Sequence, residues 1–191
     1  TNNAPASIPR FIELGIKPNL ISPSVNAFIA QRLVRRLCPH CREEYEPAKE
    51  TIDSIKKILS IISPKAKLEI PKEIKKLYRP KGCEKCHGIG FKGRIGIFEV
   101  LTITESVEKL ILEMGSEREI AQAALEDGMV TMAQDGILKA VEGLTSMDEV
   151  WRATGQTEFL ENIYEKLMAQ SLSRSIELSE ADLELVSQNI K

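Results

Sequence analysis

The sequence predicts a mixed α/β fold, in which strand-like segments flank a four-cysteine module and a helical part follows. Three observations predict it. All 4 cysteines fall into two pairs with two residues between them, Cys38 to Cys41 and Cys83 to Cys86. A segment of alternating character, Gln31 to Leu37, runs into the first pair, and a β-rich segment, Phe91 to Thr102, follows the second. Beyond residue 104 apolar residues recur at helical spacing, as at Val107, Leu110, Ile111 and Met114, then at Ile137, Leu138, Val141 and Leu144.

Taken in order, residues 4–14 read as a helix that ends at Gly15, with Pro9 inside it. Ser22-Pro23 reads as the N-cap and first position of a helix running to about Ala30. In the strand that follows, Leu33, Arg35 and Leu37 face one way and Arg32, Val34 and Arg36 the other. Ile52, Ile55, Ile58, Leu59 and Ile62 form the apolar stripe of a helix over roughly 48–62, inside the stretch that separates the cysteine pairs. Pro64 and Pro71 break what comes after. Ser116 with Glu119 and Ser146 with Glu149 have the spacing of capping boxes, so helices start there. Gly115, Gly128, Gly143 and Gly155 fall at helix ends. Two more amphipathic stretches, Phe159 to Leu172 and Ala181 to Ile190, flank a hinge at 171–175.

Composition narrows the function. Apolar residues are 42% and charged residues 28% of the chain, the balance of a globular protein rather than a disordered one. No transmembrane segment is expected, since no long uncharged apolar run occurs. The start, Thr1-Asn2-Asn3-Ala4, has no signal-peptide pattern and no initiator Met, which reads as a fragment or processed piece. The formal net charge of −2 hides a split: residues 49–94 carry 13 Lys/Arg against 5 Asp/Glu, and residues 95–191 carry 7 against 19. Mutual neutralisation, within the chain or between subunits, accounts for it. A nucleic-acid face would interleave aromatics with the cations, and only Tyr78 and Phe91 are available there, so no nucleic-acid partner is expected.

The cysteines carry the chemistry. Two intervening residues let one tight turn aim two sulfurs at one point, and two such turns complete a tetrahedron of soft thiolates, the arrangement structural zinc takes. Gly82, Gly88 and Gly90 allow backbone N–H groups to turn back toward the sulfurs. A rubredoxin-type iron site would use the same four ligands. Two disulfides or a single redox pair are the other readings, each with less in its favour. With Cys38, Cys41, Cys83 and Cys86 as the metal ligands, His40 and His87 are left beside the site rather than in it. The 41 residues between Cys41 and Cys83 exceed the spacing of a simple zinc ribbon, so the insert holds structure of its own.

Several blocks, in order, resemble one family. Ala30 through Cys41 (AQRLVRRLCPHC) and Gly82-Cys83-Glu84-Lys85-Cys86 are two of them. The others are Gly88 and Gly90-Phe91, the run Gly93 to Leu101, Asp135-Gly136, Lys139-Ala140, Glu142 to Thr145 and Glu149-Val150. Together they resemble the C-terminal portion of the type II secretion and type IV pilus assembly ATPases. The resemblance covers about residues 1–155. It implies that residues 1–37 end a RecA-like ATPase core, that 38–103 form a zinc-binding subdomain with a helical insert, and that 104–155 form a helical subdomain. Residues 156–191 match nothing in the pattern and read as a helical extension of unknown role. The parent protein is then a cytoplasmic homohexamer, peripheral at the inner face of the bacterial membrane, that uses ATP and magnesium to drive pilus or pseudopilus assembly on inner-membrane platform proteins. Arg94 stands at a family position near the adenine of the nucleotide. The phosphate-binding loop, the magnesium box and the catalytic Glu have no counterpart in this chain, so the fragment alone is expected to be catalytically inactive.

Overall fold

A computed structural model describes residues 1–155, and these belong to one compact unit. The amphipathic stretches and hinge read after residue 158 lie outside the described residues. The chain is mixed α/β. Its elements in order are α1 Ser7–Glu13, α2 Pro18–Ser24, β1 Ala27–Leu37, β2 Arg42–Tyr45, α3 Lys49–Ser60, β3 Leu77–Pro80, β4 Phe91–Thr102, α4 Glu105–Leu112, α5 Glu117–Glu126, α6 Met132–Val141 and α7 Met147–Thr154.

The backbone of the fold is an antiparallel ladder of β1 and β4, running from Ala27 opposite Thr102 to Leu37 opposite Phe91. One face is the core: Phe28 and Val34 from β1, Ile97 and Leu101 from β4, all under 9% exposed. A second ladder pairs β2 with β3, Arg42 opposite Pro80 and Tyr45 opposite Leu77. These two short strands have little apolar character for a propensity argument to find. Charge pairs mark them instead, Arg79 to Glu43 across the ladder at 3.0 Å and Lys76, just before β3, to Glu44 at 2.7 Å.

The helix read from Ser22 to Ala30 is not observed. Its place is taken by α2, which begins at Pro18 after an extended Lys17 and carries Pro23 near its end. Proline at the first position has no N–H to leave unpaired, so Pro18 starts the helix. From Ala27 the chain is already β1, because Phe28, Ala30 and Arg32 turn inward while Ile29, Gln31 and Leu33 turn outward, period two rather than 3.6. Leu37 is buried at 2% exposure and does not share the exposed side of Leu33. The ladder shifts register between Arg35 and Leu37, which turns the last residue of β1 into the core.

Other expectations hold in whole or in part. The helix at Gly15 closes as read, with the Gly15 N–H on the Ile12 carbonyl at 2.9 Å and the Ile16 N–H on that of Phe11 at 3.1 Å. Pro9 sits in the first turn of α1, where no intrahelical N–H is needed. The insert helix α3 buries Ile55, Ile58 and Leu59. Ser116 and Glu119 form a reciprocal capping box at α5. At Ser146 only half of the expected box forms: Ser146 accepts from the Glu149 N–H, but the Glu149 carboxylate turns away to β1. At the end of α4 the left-handed residue is Met114 (φ 55°), one position before Gly115.

The helices lock onto the ladder through polar contacts at its rim. Asp135 on α6 accepts from the Phe98 N–H at 2.8 Å, and Lys139 donates to the Gly96 carbonyl at 2.9 Å. Glu149 on α7, buried at 2%, accepts from the Arg35 N–H and from its guanidinium, and also from Arg152. Burial works against the Glu149 charge, and these donors outweigh it, holding the carboxyl below the usual range. Gln134, fully buried on α6, accepts from the Thr131 N–H and donates to the Ile58 carbonyl, which pins α3 to α6.

Candidate metal centre

The four cysteines meet where the two ladders meet. Cys38 follows β1 directly, and the turn it opens leads into β2 at Arg42; β3 ends at Pro80, and the second turn leads into β4 at Phe91. Each cysteine turn therefore joins one strand of the long ladder to one strand of the short one. The first turn is closed by the Cys41 and Arg42 N–H groups, both on the Cys38 carbonyl. The second is closed by the Cys86 and Gly88 N–H groups on the Cys83 carbonyl. A bond from the Cys38 N–H to the Gly90 carbonyl, 2.9 Å, ties the two turns together.

Two glycines permit this crossing. A Cβ on Gly82 would lie 2.4 Å from the Gly88 carbonyl oxygen, and one on Gly90 would lie 2.4 Å from the Pro80 Cβ. Both residues also have positive φ, 103° and 76°, so hydrogen is the only side chain that fits on both counts.

The sulfur geometry fits a tetrahedral metal. The Sγ atoms of Cys38, Cys41, Cys83 and Cys86 lie within 4.8 Å of one another. Cys38 to Cys83 is 4.0 Å, Cys41 to Cys86 is 3.7 Å and Cys83 to Cys86 is 3.7 Å. Four sulfurs about 2.3 Å from a central zinc would stand about 3.8 Å apart. All four cysteines are free thiols, so the disulfide reading is not the one realised. Backbone N–H groups of Cys83 and Gly90 donate to the Cys86 sulfur at 3.1 and 3.2 Å. Burial opposes ionisation of Cys86, but these donors and the neighbouring thiols outweigh it and bring the thiol down to about 6. Burial pushes Cys41 up to about 12, and the facing thiols add to the rise. Ionising all four sulfurs in so small a volume requires a multivalent cation. His40 and His87 are exposed and are not among the four clustered side chains.

The short ladder is seated by Arg42, a residue the sequence reading did not single out. Its guanidinium lies 4.8 Å from the Tyr78 ring centre and donates to the Gly143 carbonyl at 2.6 Å, at the end of α6. Its only signal in the sequence was its place directly after Cys41. Glu99 was missed too. It is 5% exposed on the core face of β4, and its carboxylate accepts from the Ala4 N–H at 2.8 Å and the Met132 N–H at 3.4 Å. Its alternation with Ile97 and Leu101 would have placed it inward. Arg94 is exposed on β4, opposite Arg35, and lies outside the cysteine cluster.

Residues 1–152 match the family described as Type II/IV secretion system protein, and the chain belongs to that family. Among its curated relatives, it is 39% identical over 154 residues to the type IV pilus assembly ATPase PilB of Pseudomonas aeruginosa, covering 81% of this chain and 25% of that protein. It is 36% identical over 154 residues to the type II secretion system protein E of the same species, covering 81% of the chain and 28% of the relative. For PilB of Thermus thermophilus the identity is 36% over 154 residues, 81% of the chain and 16% of the relative. The chain thus spans only 16–28% of the length of these relatives. Among the described residues, no helix is long and apolar enough to cross a membrane.

Proposed function

We propose that the chain is the C-terminal portion of a hexameric ATPase that drives type IV pilus or type II secretion pseudopilus assembly, and that its own part in that motor is mechanical. Residues 1–37 end a RecA-like core, 38–103 form the zinc subdomain and 104–155 the helical subdomain. The full-length protein binds ATP and magnesium, works in the cytoplasm against the inner membrane and docks on platform proteins. This portion alone does not hydrolyse ATP. The family match and the relatives' names support the reading.

The observation that carries the mechanical role is that both cysteine turns bridge the two ladders. Zinc held by Cys38, Cys41, Cys83 and Cys86 supplies the charge that keeps four thiolates together. The chain's own groups do the rest: N–H donors fix the Cys86 sulfur, and Arg42 anchors the short ladder on the end of α6. The unit moves as one body because every strand is tied to the next. Metal analysis of protein purified without chelator should give one zinc per chain, without the visible absorption of an iron tetrathiolate. A folded, metal-free protein with four titratable thiols would overturn the site.

Arg94 is proposed to contact the adenine in the full-length protein. Stacking on a base contributes about 1–2 kcal/mol, or roughly 5–30-fold in KM. Such a contact is equal in ground and transition states, so Arg94→Ala should leave kcat unchanged. A fall in kcat at constant KM would reject the adenine assignment.

A further inference from the structure

We propose that Glu99 is a positioning residue for ATP hydrolysis in the full-length protein: its buried carboxylate clasps the polypeptide that enters this chain at Thr1 to the start of α6. The proposal rests on reading the chain as the C-terminal portion of a family ATPase.

Glu99 stands on the core face of β4 between Ile97 and Leu101, both fully buried, and is itself 5% exposed. Its Oε1 accepts from the Ala4 N–H at 2.8 Å and its Oε2 from the Met132 N–H at 3.4 Å. Ala4 is 1% exposed and opens the turn into α1, where its carbonyl accepts from the Ser7 N–H. Met132 is the first residue of α6. The residue beside Ala4 is held as well. Asn3 Nδ2 donates to Glu117, the first residue of α5, at 2.8 Å, and Asn3 Oδ1 accepts from the Ala6 N–H at 2.8 Å.

Stability alone does not call for a carboxylate at this place. An apolar side chain would continue the row of Ile97 and Leu101 without the cost of burying a charge. Burial, and then the Glu117 carboxylate, work against the ionised form of Glu99. What the carboxylate supplies is two acceptor oxygens for two N–H groups on separate segments. Glutamine has the same shape but a single acceptor oxygen, and its NH2 group would face an N–H donor. It can serve Ala4 or Met132, not both.

Position gives the clasp its role. Thr1 lies three residues before Ala4, so the preceding polypeptide leaves within about 11 Å of the clasped N–H. Most of the length of the relatives lies outside the matched stretch, which is 25% of the Pseudomonas aeruginosa PilB. This chain has no phosphate-binding loop, so under the motor reading the nucleotide chemistry belongs to that preceding part. On the other side, α6 is fixed to the ladder by Asp135 and Lys139 and to α3 by Gln134. Polar contacts therefore run from the insert helix through α6 and Glu99 to the entry of the chain. A shift of α6 relative to β4 carries the end of the preceding part with it.

The full-length protein, its Glu99→Gln variant and an Ile21→Val variant test this. Ile21, 1% exposed on α2, gives a loss of stability that leaves the partners of Glu99 in place. Steady-state ATP hydrolysis, melting temperature and site-resolved hydrogen exchange are read on all three. In Glu99→Gln, kcat should fall by at least about tenfold at unchanged KM, because the reacting groups are displaced rather than removed. The amide of Ala4 or of Met132 should exchange at least about tenfold faster than in the parent. Ile21→Val should keep kcat within about twofold of the parent. An unchanged kcat in Glu99→Gln would overturn the positioning role and leave the motor reading standing, as would a change confined to KM. So would a fall in kcat that Ile21→Val reproduces at a matching loss in melting temperature, since Glu99 would then act through stability alone. Ala4 and Met132 amides as protected in Glu99→Gln as in the parent would overturn the clasp itself. A folded full-length parent that hydrolyses no ATP would overturn the motor reading together with the role that rests on it.

Discussion

Adding one methyl group at Gly90 should do more harm than adding it at Gly88, although the two residues have nearly the same backbone conformation, φ 76° and 77°. A left-handed conformation costs an L-residue about 1–2 kcal/mol, and both variants incur that. At Gly88 nothing lies within 4 Å of the new Cβ, so the conformational term is the whole effect. At Gly90 the new Cβ meets the Pro80 Cβ at 2.4 Å and its Cα at 3.0 Å. Neither atom belongs to a flexible chain end, so β3 or the second cysteine turn must shift. Overpacking of this kind adds about 1–3 kcal/mol. Gly90→Ala should then lose about 2–5 kcal/mol and Gly88→Ala about 1–2, with roughly 2–4 °C of melting temperature per kcal/mol for a unit of this size. The shift also reaches the metal centre, because Gly90 donates to the Cys86 sulfur and accepts from Cys38. Thermal melts of both variants, with the rate of metal transfer to a chromogenic chelator, give the comparison. Equal losses in melting temperature would refute the steric argument. A destabilised Gly90→Ala that transfers metal no faster than the parent would refute the link to the sulfurs.

Other outcomes follow from buried polar groups. Gln134→Ala leaves the Thr131 N–H and Ile58 carbonyl buried without partners, and should cost about 2–4 kcal/mol in urea unfolding; a loss under about 0.5 kcal/mol would mean that water replaces the side chain. Burial raises the Glu99 carboxyl above its ordinary range. The folded state then binds a proton more tightly than the unfolded one, so this group's contribution weakens as pH rises from the ordinary glutamate range through the raised value. The stability of the parent relative to Glu99→Gln should decline over that window, and a constant difference would show that Glu99 does not titrate there. Asp127 behaves oppositely: Lys65, with Ser106 and Thr104, lowers it to about 2. Its stabilisation is full above the ordinary aspartate range and is lost as pH falls toward 2, a dependence that Asp127→Asn should remove.

The parts legible in the sequence were those whose physics is local. Phe91 to Thr102 is β-rich enough to give a strand with both ends correct. The paired cysteines stated their own geometry, and α3 followed from its stripe of isoleucines. What failed depended on competition between local signals. Ser22-Pro23 is a helix start in isolation, but Pro18 had already started one, and the alternating run from Ala27 ended it. The strands β2 and β3 carry charges where strands usually carry apolar groups, so only their pairing reveals them. The capping box of Thr131 with Gln134 is as plain in the sequence as that of Ser116 with Glu119. Glu149 shows the limit of the motif: spacing identified a cap, and tertiary packing gave the carboxylate to Arg35.

The crossing of the two cysteine turns also bears on how this protein can change over generations. Everything between Cys41 and Cys83 leaves and returns through the same cluster, so its ends are held together whatever lies between them. For a flexible loop with fixed ends, doubling the length costs only about 0.6 kcal/mol. Helix α3 is committed to the core by Ile55 and Ile58, but the exposed run from Lys67 to Glu69, with Lys72 and Glu73, is not. That surface is where lineages can lengthen, shorten or rewrite the chain, acquiring new contacts with their own machinery while the ladder beneath keeps its register.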